Sequence, residues 1–212
     1  MGRYGPGCHC LGLGYGLMEP AEPDSPAQPN AIIDERVRYH EAGHAVAYWH
    51  CDVSLQFVST SPSAGGHRGE TSKVDRELGT GVTELQNEMI CTAAGEIAEK
   101  RLPTGPRLPS AHELGRRFET YPARVRTQPG LVAEDEGLFV EFGQARDGVI
   151  HDTNADVPTG PPGWLQVWEQ AEQLIEKLWP AVSAVARALE DARTLSGDEV
   201  FAIAAAATRK QA

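Results

Sequence analysis

Residues 39–46, Tyr39-His40-Glu41-Ala42-Gly43-His44-Ala45-Val46, decide the fold. They lie within a helical pattern that runs from about residue 31 to residue 51. Residues four apart stack on one face of a helix, so His40 and His44 can present two imidazoles to one metal ion. Glu41, rotated by ~100°, can take a proton from the water that the metal activates. Chance produces roughly 0.02 such motifs in a chain of this composition, so the motif predicts a zinc hydrolase site.

The rest of the chain reads mainly as helices around a small hairpin. Residues 53–60 and 68–74 predict two paired strands. Thr83 and Gln86 predict a cap for a helix ending near residue 102, and Ser110 and Glu113 predict a cap for a short helix interrupted by Pro122. Residues 164–192, divided or kinked at Pro180, predict another helix. Ser196 and Glu199 predict a cap for a last helix over residues 200–209. Residues 129–163 are the least readable, with one strand-like piece at 138–142.

These patterns predict two segments of different character. Residues 1–29 are rich in Gly and Pro and are expected to be a disordered tail. Residues 30–212 are expected to form one metallopeptidase domain, with a zinc-site half (30–126), an irregular loop region (127–163) and C-terminal helices (164–212). Cys8-His9-Cys10 has no second cysteine pair at a metal-site spacing and gives only weak evidence for a metal site.

Charge and hydropathy exclude several partners. The net charge is −11, from 30 acidic and 19 basic residues, and no Lys/Arg cluster stands out, so we expect no nucleic-acid partner. No apolar run approaches the ~20 residues of a membrane helix, and we expect no membrane segment and a cytoplasmic location. The sequence leaves the oligomeric state open.

Four stretches resemble the FtsH-type zinc metalloproteases, which are AAA+ quality-control proteases. The motif helix at residues 39–46 resembles the zinc helix of that family, and the hairpin through residues 69–71 resembles the one that follows it. Residues 92–102, TAAGEIAEKRL, resemble the family's helix of small residues, and residues 194–200, TLSGDEV, resemble its C-terminal segment. The resemblance implies a mainly α, zincin-like metalloprotease domain with a small β-hairpin beside the zinc helix, and Zn²⁺ as the metal.

The resemblance also implies a third metal ligand. In the family this ligand is an Asp that follows the small-residue helix by roughly a dozen residues, and the matching position here is Glu113. We therefore expect His40, His44 and Glu113 to bind zinc and Glu41 to act as the general base. Glu113 could instead complete a capping box with Ser110. In that case the third ligand would be His112 or, after it, Asp135, Asp147 or His151.

The expected activity is zinc-dependent hydrolysis of peptide bonds in flexible or unfolded polypeptides. These residues contain no G-x-x-x-x-G-K-[S/T] phosphate-binding loop, so the resemblance covers the peptidase part alone, as in stand-alone FtsH-peptidase-like proteins, and a separate ATPase partner is possible. An exposed edge in residues 53–60 is expected to bind substrate by strand addition. Two rival functions are a catalytically inactive zinc-binding regulatory module of the same fold and a zinc amidohydrolase of other specificity.

Overall fold

The protein is mainly α-helical with a small antiparallel sheet, as the sequence predicts. The computed structural model describes residues 8–10, 35–61, 69–74, 81–103, 105, 107–127, 134–153 and 157–209. Within those residues the helices are α1 (Glu35–His50), α2 (Val82–Lys100), α3 (Ala111–Thr127), α4 (Glu134–Thr153), α5 (Gly160–Ala192) and α6 (Gly197–Arg209). No helix in these ranges combines the length and the apolar character needed to cross a membrane.

The sheet has four strands in the described residues, in the order β1-β3-β2-β4, and every neighbouring pair is antiparallel. They are β1 (Cys8–Cys10), β2 (Leu55–Ser59), β3 (Gly69–Lys73) and β4 (Thr194–Ser196). The predicted hairpin is confirmed as β2 and β3. The prediction of an exposed edge in residues 53–60 is wrong, because β2 pairs with β3 on one side and with β4 on the other: Val58 lies opposite both Thr71 and Leu195.

The segment Cys8–Cys10 falls in the stretch that was predicted to be a disordered tail. It forms β1 and pairs with β3, with Cys8 opposite Thr71 and Cys10 opposite Gly69. The remainder of residues 1–29 lies outside the described residues. The N-terminal part of the chain therefore contributes a strand to the sheet.

Helices α1 and α2 pack very closely, and this contact buries the motif. A Cβ atom on Gly43 would lie 2.5 Å from the Ala94 carbonyl oxygen and 2.7 Å from the Ala98 Cβ, closer than any side chain tolerates. Ala42, Ala45 and Val46 are fully buried. The small residues of both helices thus hold the middle of α1 inside the core rather than on the surface.

The long helix α5 forms a second wall of this core. It packs against α1 and α2 and buries a stripe at spacings of three and four, which comprises Val167, Trp168, Ala171, Ile175, Leu178, Val182, Val185 and Leu189. Tyr39 of α1 stacks on Trp179, with ring centroids 5.3 Å apart. Pro180, which was expected to kink or divide this helix, lies within one continuous helix from Gly160 to Ala192.

Within residues 127–163, Glu134–Thr153 form a helix, α4, where the sequence suggested an irregular loop. The strand-like piece at 138–142 lies in the middle of this helix. Its buried face includes Asp135, Glu136, Gly143 and Arg146 besides Phe139, Val140 and Ile150. Because charged residues and a glycine occupy core positions, the apolar period that identifies a helix is hidden in the sequence.

The helix caps follow the sequence in two of three cases. Ser110 with Glu113, and Ser196 with Glu199, form reciprocal capping boxes. The predicted Thr83–Gln86 box is wrong, because the N-cap of α2 is Gly81, two residues earlier, and it makes no side-chain cap. Helix α3 was expected to be short but continues through Pro122 over 17 residues.

Candidate metal centre

One turn of α1 brings the two motif histidines together. The Nε2 atoms of His40 and His44 lie 3.0 Å apart, and the rings meet edge to face with centroids 4.7 Å apart. His44 is fully buried, and 13% of the His40 side chain is exposed. The helical spacing of four residues therefore places two imidazole nitrogens at one point, as the sequence predicts.

Asp135, in the first turn of α4, supplies a carboxylate to the same point. Its Oδ2 atom lies 3.0 Å from His40 Nε2 and 3.5 Å from His44 Nε2. His40, His44 and Asp135 form the only group of His, Cys, Asp or Glu residues within the described residues whose ligand atoms are close enough to hold a metal ion. The site is thus built from α1 and α4, and His40 and Asp135 are 95 residues apart in the sequence.

The far side of each imidazole is held by an oxygen acceptor on α2. His44 Nδ1 lies 2.8 Å from the Cys91 carbonyl oxygen, which can only accept a hydrogen bond, so His44 carries its proton on Nδ1. His40 Nδ1 lies 3.2 Å from Glu99 Oε2. Glu99 is in turn held by Arg36, whose Nε donates to Glu99 Oε1 at 2.9 Å.

Glu99 is ionised, so it too accepts a hydrogen bond from His40. Burial opposes its charge, but the hydrogen bonds from His40 and Arg36 outweigh burial and lower the pKa of Glu99. With protons on both Nδ1 atoms, Nε2 is the nitrogen of each ring that can bind a metal ion. Such outer hydrogen bonds are those that orient metal-ligating histidines in proteins.

The three converging atoms are all electron-pair donors. Burial opposes the charge of Asp135, but His44 and His40 outweigh it and hold the pKa of Asp135 well below its usual range. Two imidazole nitrogens and one carboxylate oxygen lie within 3.0–3.5 Å of one another, and these are common ligand atoms of transition metals. The chemistry of this donor set therefore fits a metal ion.

Glu41 lies beside this group, fully buried and held by β3. The Thr71 hydroxyl donates to its Oε2 atom at 2.7 Å, whereas its Oε1 atom is buried without a hydrogen-bond partner among the described residues. A Cβ atom on Gly69 would lie 2.4 Å from Oε1, so only glycine leaves room for the carboxylate there. Burial raises the pKa of Glu41, although the two imidazoles and Thr71 each lower it.

Glu113, expected from the resemblance as the third ligand, lies elsewhere. It is exposed at the start of α3, where its Oε2 atom accepts hydrogen bonds of 2.7 Å from the backbone N–H and the hydroxyl of Ser110. It is therefore engaged in the capping box and is not part of the group around His40. The carboxylate in that group comes from Asp135, which the sequence suggests only after Glu113 and His112.

His112, His151 and Asp147 also lie away from the group around His40. His112 is exposed on α3, and His151 is exposed on the last turn of α4. Asp147 accepts hydrogen bonds from the Gly160 backbone N–H at 2.8 Å and from Trp164 Nε1 at 3.0 Å, which tie α4 to the start of α5. These three residues have structural or surface positions.

No protein-family model matches this chain, and neither does any curated protein. The assignment of the site therefore depends on its geometry. A buried group of two imidazoles and one carboxylate, with a second buried carboxylate next to it, can hold a metal ion and position a proton acceptor beside it.

Proposed function

We propose that the protein is a zinc-dependent metalloendopeptidase with a zincin-like arrangement, in which His40, His44 and Asp135 bind the metal. The observation that supports this most strongly is the convergence of the three ligand atoms beside Glu41, a motif residue with an unpartnered oxygen. Glu41 does not hold a ligand imidazole as Glu99 does, so orienting the ligands does not explain its burial beside them. A carboxylate in that position can act as the base of a hydrolytic site.

The donor set favours zinc. Tetrahedral zinc with bonds of about 2.0–2.1 Å separates its ligand atoms by roughly 3.3 Å. The three separations here are 3.0, 3.0 and 3.5 Å. Two histidines and one carboxylate are also a ligand set of catalytic zinc sites, which leave one position for water or substrate. Calcium and magnesium prefer all-oxygen ligands and fit this set poorly.

The chain's own residues supply the proton transfers. A zinc ion held by His40, His44 and Asp135 would polarise a peptide carbonyl and lower the pKa of bound water toward ~7. Glu41 accepts a proton from the attacking water at Oε1, while the Thr71 hydroxyl keeps Oε2 in place. Glu41 then donates this proton to the amide nitrogen that leaves. The Cys91 carbonyl and Glu99 hold the protons of His44 and His40 on Nδ1, which leaves Nε2 of each ring to bind the metal.

The FtsH-type resemblance supports the same proposal with one change. The family's third ligand is an aspartate, and Asp135 retains that residue type in another segment than the one that Glu113 occupies. The proposed substrates are flexible or unfolded polypeptides, and activity on them is expected without ATP, because these residues contain no phosphate-binding loop. A separate ATPase partner would extend the substrates to folded proteins.

Hydrolysis and metal content measured together test the proposal. We expect about one zinc per chain after dialysis, and cleavage of an unstructured fluorogenic peptide that a chelator abolishes and added zinc restores. Glu41→Gln should keep zinc and lose about 10²–10⁴-fold in rate. Glu35→Gln, the same change in the exposed first turn of α1, is the matched control and should retain full activity.

Each contrary outcome has a distinct meaning. Full activity in metal-free protein, or an unchanged rate for Glu41→Gln, would contradict the proposed mechanism. Bound zinc without hydrolysis of any amide would favour a zinc-binding regulatory module. Bound zinc with hydrolysis of small amides but not of peptides would favour an amidohydrolase of other specificity.

A further inference from the structure

The strand β1 lies next to two elements of the proposed site. It pairs with β3, whose Thr71 holds Glu41 and whose Gly69 leaves room for the Glu41 carboxylate. It also contacts α4, the helix that carries Asp135. The backbone of β1 thus runs between the strand that positions the proposed base and the helix that supplies the proposed third ligand.

The proposed base and one proposed ligand are closed to solvent in this arrangement. Glu41 and His44 have no exposed surface. A peptide carbonyl can reach Glu41 Oε1 only if a neighbouring segment moves. Because β2 is paired on both sides, the edge of β3 that faces β1 is the edge of this hairpin next to α4.

We propose that this edge of β3 binds an extended peptide in antiparallel register, and that Cys8–Cys10 occupy it as an internal competitor. The backbone groups of a sheet edge bind any extended chain with little regard to its side chains, which suits the unfolded polypeptides expected as substrates. The identity of those substrates rests on the proposed function. The binding surface and its occupant rest on the strand pairing alone.

The competition is intramolecular. A segment tethered to its own binding surface competes at an effective concentration that can reach the order of millimolar. A peptide added at micromolar concentration meets an edge that is already paired in most molecules. Its apparent affinity equals its affinity for the open edge multiplied by the fraction of molecules whose edge is open. We expect at least a tenfold loss of affinity for an external peptide relative to a chain in which β1 cannot pair.

A pair of prolines in β1 tests this in the full-length chain. Successive backbone N–H groups of a strand point to opposite sides, so only one of the N–H groups of residues 9 and 10 points toward β3. Replacing both residues, His9→Pro with Cys10→Pro, removes that N–H group whichever residue carries it. The matched control, His9→Val with Cys10→Val, removes the same side chains but favours the strand. Protection of the β3 amides is read by hydrogen exchange, and α5 amides report that the fold is intact.

The expected results separate backbone pairing from side-chain effects. The proline pair should expose the β3 amides, and a synthetic peptide with the sequence of residues 5–13 should restore their protection. That peptide should bind the proline variant at least tenfold more tightly than the parent or the valine variant in a fluorescence-anisotropy titration. Equal β3 protection in all three chains, or equal peptide affinity, would overturn the inference.

These readouts do not require hydrolysis. If the peptide binds as expected but no variant cleaves it, the proposed function fails while the binding surface stands. If all three chains cleave an unstructured peptide at the same kcat/KM, the competition is wrong while the proposed function stands.

Discussion

Replacing Gly95 by Ala tests whether the space beside His44 is required by the centre. Gly95 lies in the middle of α2, against the ring of His44. A Cβ atom there would lie 2.3 Å from His44 Nε2, 2.6 Å from Cε1 and 2.7 Å from Cδ2. The added methyl group would thus meet the face of the ring that carries the proposed ligand atom.

The geometry gives the size of the effect. Carbon normally stays about 3.5 Å or more from such an atom, so the ring must move by roughly 1.2 Å. A metal ligand is held to about 0.2 Å, so the displaced nitrogen no longer reaches the ion. We expect Gly95→Ala to lose more than 100-fold in zinc affinity, and the metal-free protein to be destabilised by about 1–3 kcal/mol, as for other overpacked cores.

Zinc titration and thermal unfolding of the variant measure both effects. Gly148→Ala is the matched control, since it is also a helical glycine but an added Cβ meets nothing within 4 Å. It should bind zinc normally and gain about 0.5–1 kcal/mol in stability. In a His44→Ala background, which has no ring to displace, Gly95→Ala should cost little stability. Normal zinc binding by Gly95→Ala, or an equal cost in both backgrounds, would refute the reasoning.

Three further predictions concern the ligands and their surroundings. Asp135→Asn should lose zinc by more than 100-fold whereas Glu113→Gln keeps it, and the opposite result in metal analysis would restore the assignment made from the family resemblance. Glu99→Gln should weaken zinc binding by ~10–100-fold in a competition titration with a chelator, because His40 loses its charged acceptor, and unchanged affinity would show that this hydrogen bond is dispensable. Burial opposes the charge of Glu96, but Arg117 and Lys100 outweigh it and lower its pKa. The ionised Glu96 therefore stabilises the fold above its unfolded pKa of about 4.3, and this contribution is lost as the pH falls through the lower folded pKa. Glu96→Gln lacks this contribution at every pH. In acid titrations of the free energy of unfolding, it should therefore lose less stability below pH 4.3 than the parent does.

Local sequence rules predicted the parts of the fold that are determined locally. The motif helix, the β2–β3 hairpin and α5 follow from the spacing of their own residues, and the capping boxes at Ser110 and Ser196 depend on residues three apart. Two of the three proposed metal ligands and the proposed base lie within one helical turn. Their proximity could therefore be predicted without knowledge of the tertiary structure.

The third ligand could not be found in the same way. Asp135 reaches the histidines only because α4 packs against α2, a contact between distant parts of the chain. The helix itself was hidden, since its buried face carries Glu136 and Arg146 at positions where an apolar period would be sought. Glu136 is buried in ion pairs with Arg117 and Arg124 of α3, which replace the apolar contacts of an ordinary core helix.

Helix α2 carries residues that complement the motif, at the same spacing of four residues. Cys91, Gly95 and Glu99 are spaced by four, so they lie on one face of α2, and that face is opposite His44 and His40 of α1. Along this face α2 presents a carbonyl acceptor, a gap without a side chain and a carboxylate acceptor. The two acceptors fix the protons of the imidazoles, and the gap admits the ring of His44. The centre therefore has a second sequence signal besides the His-Glu-x-x-His motif. It is a small residue followed four positions later by an acid, on the helix that packs against the motif helix.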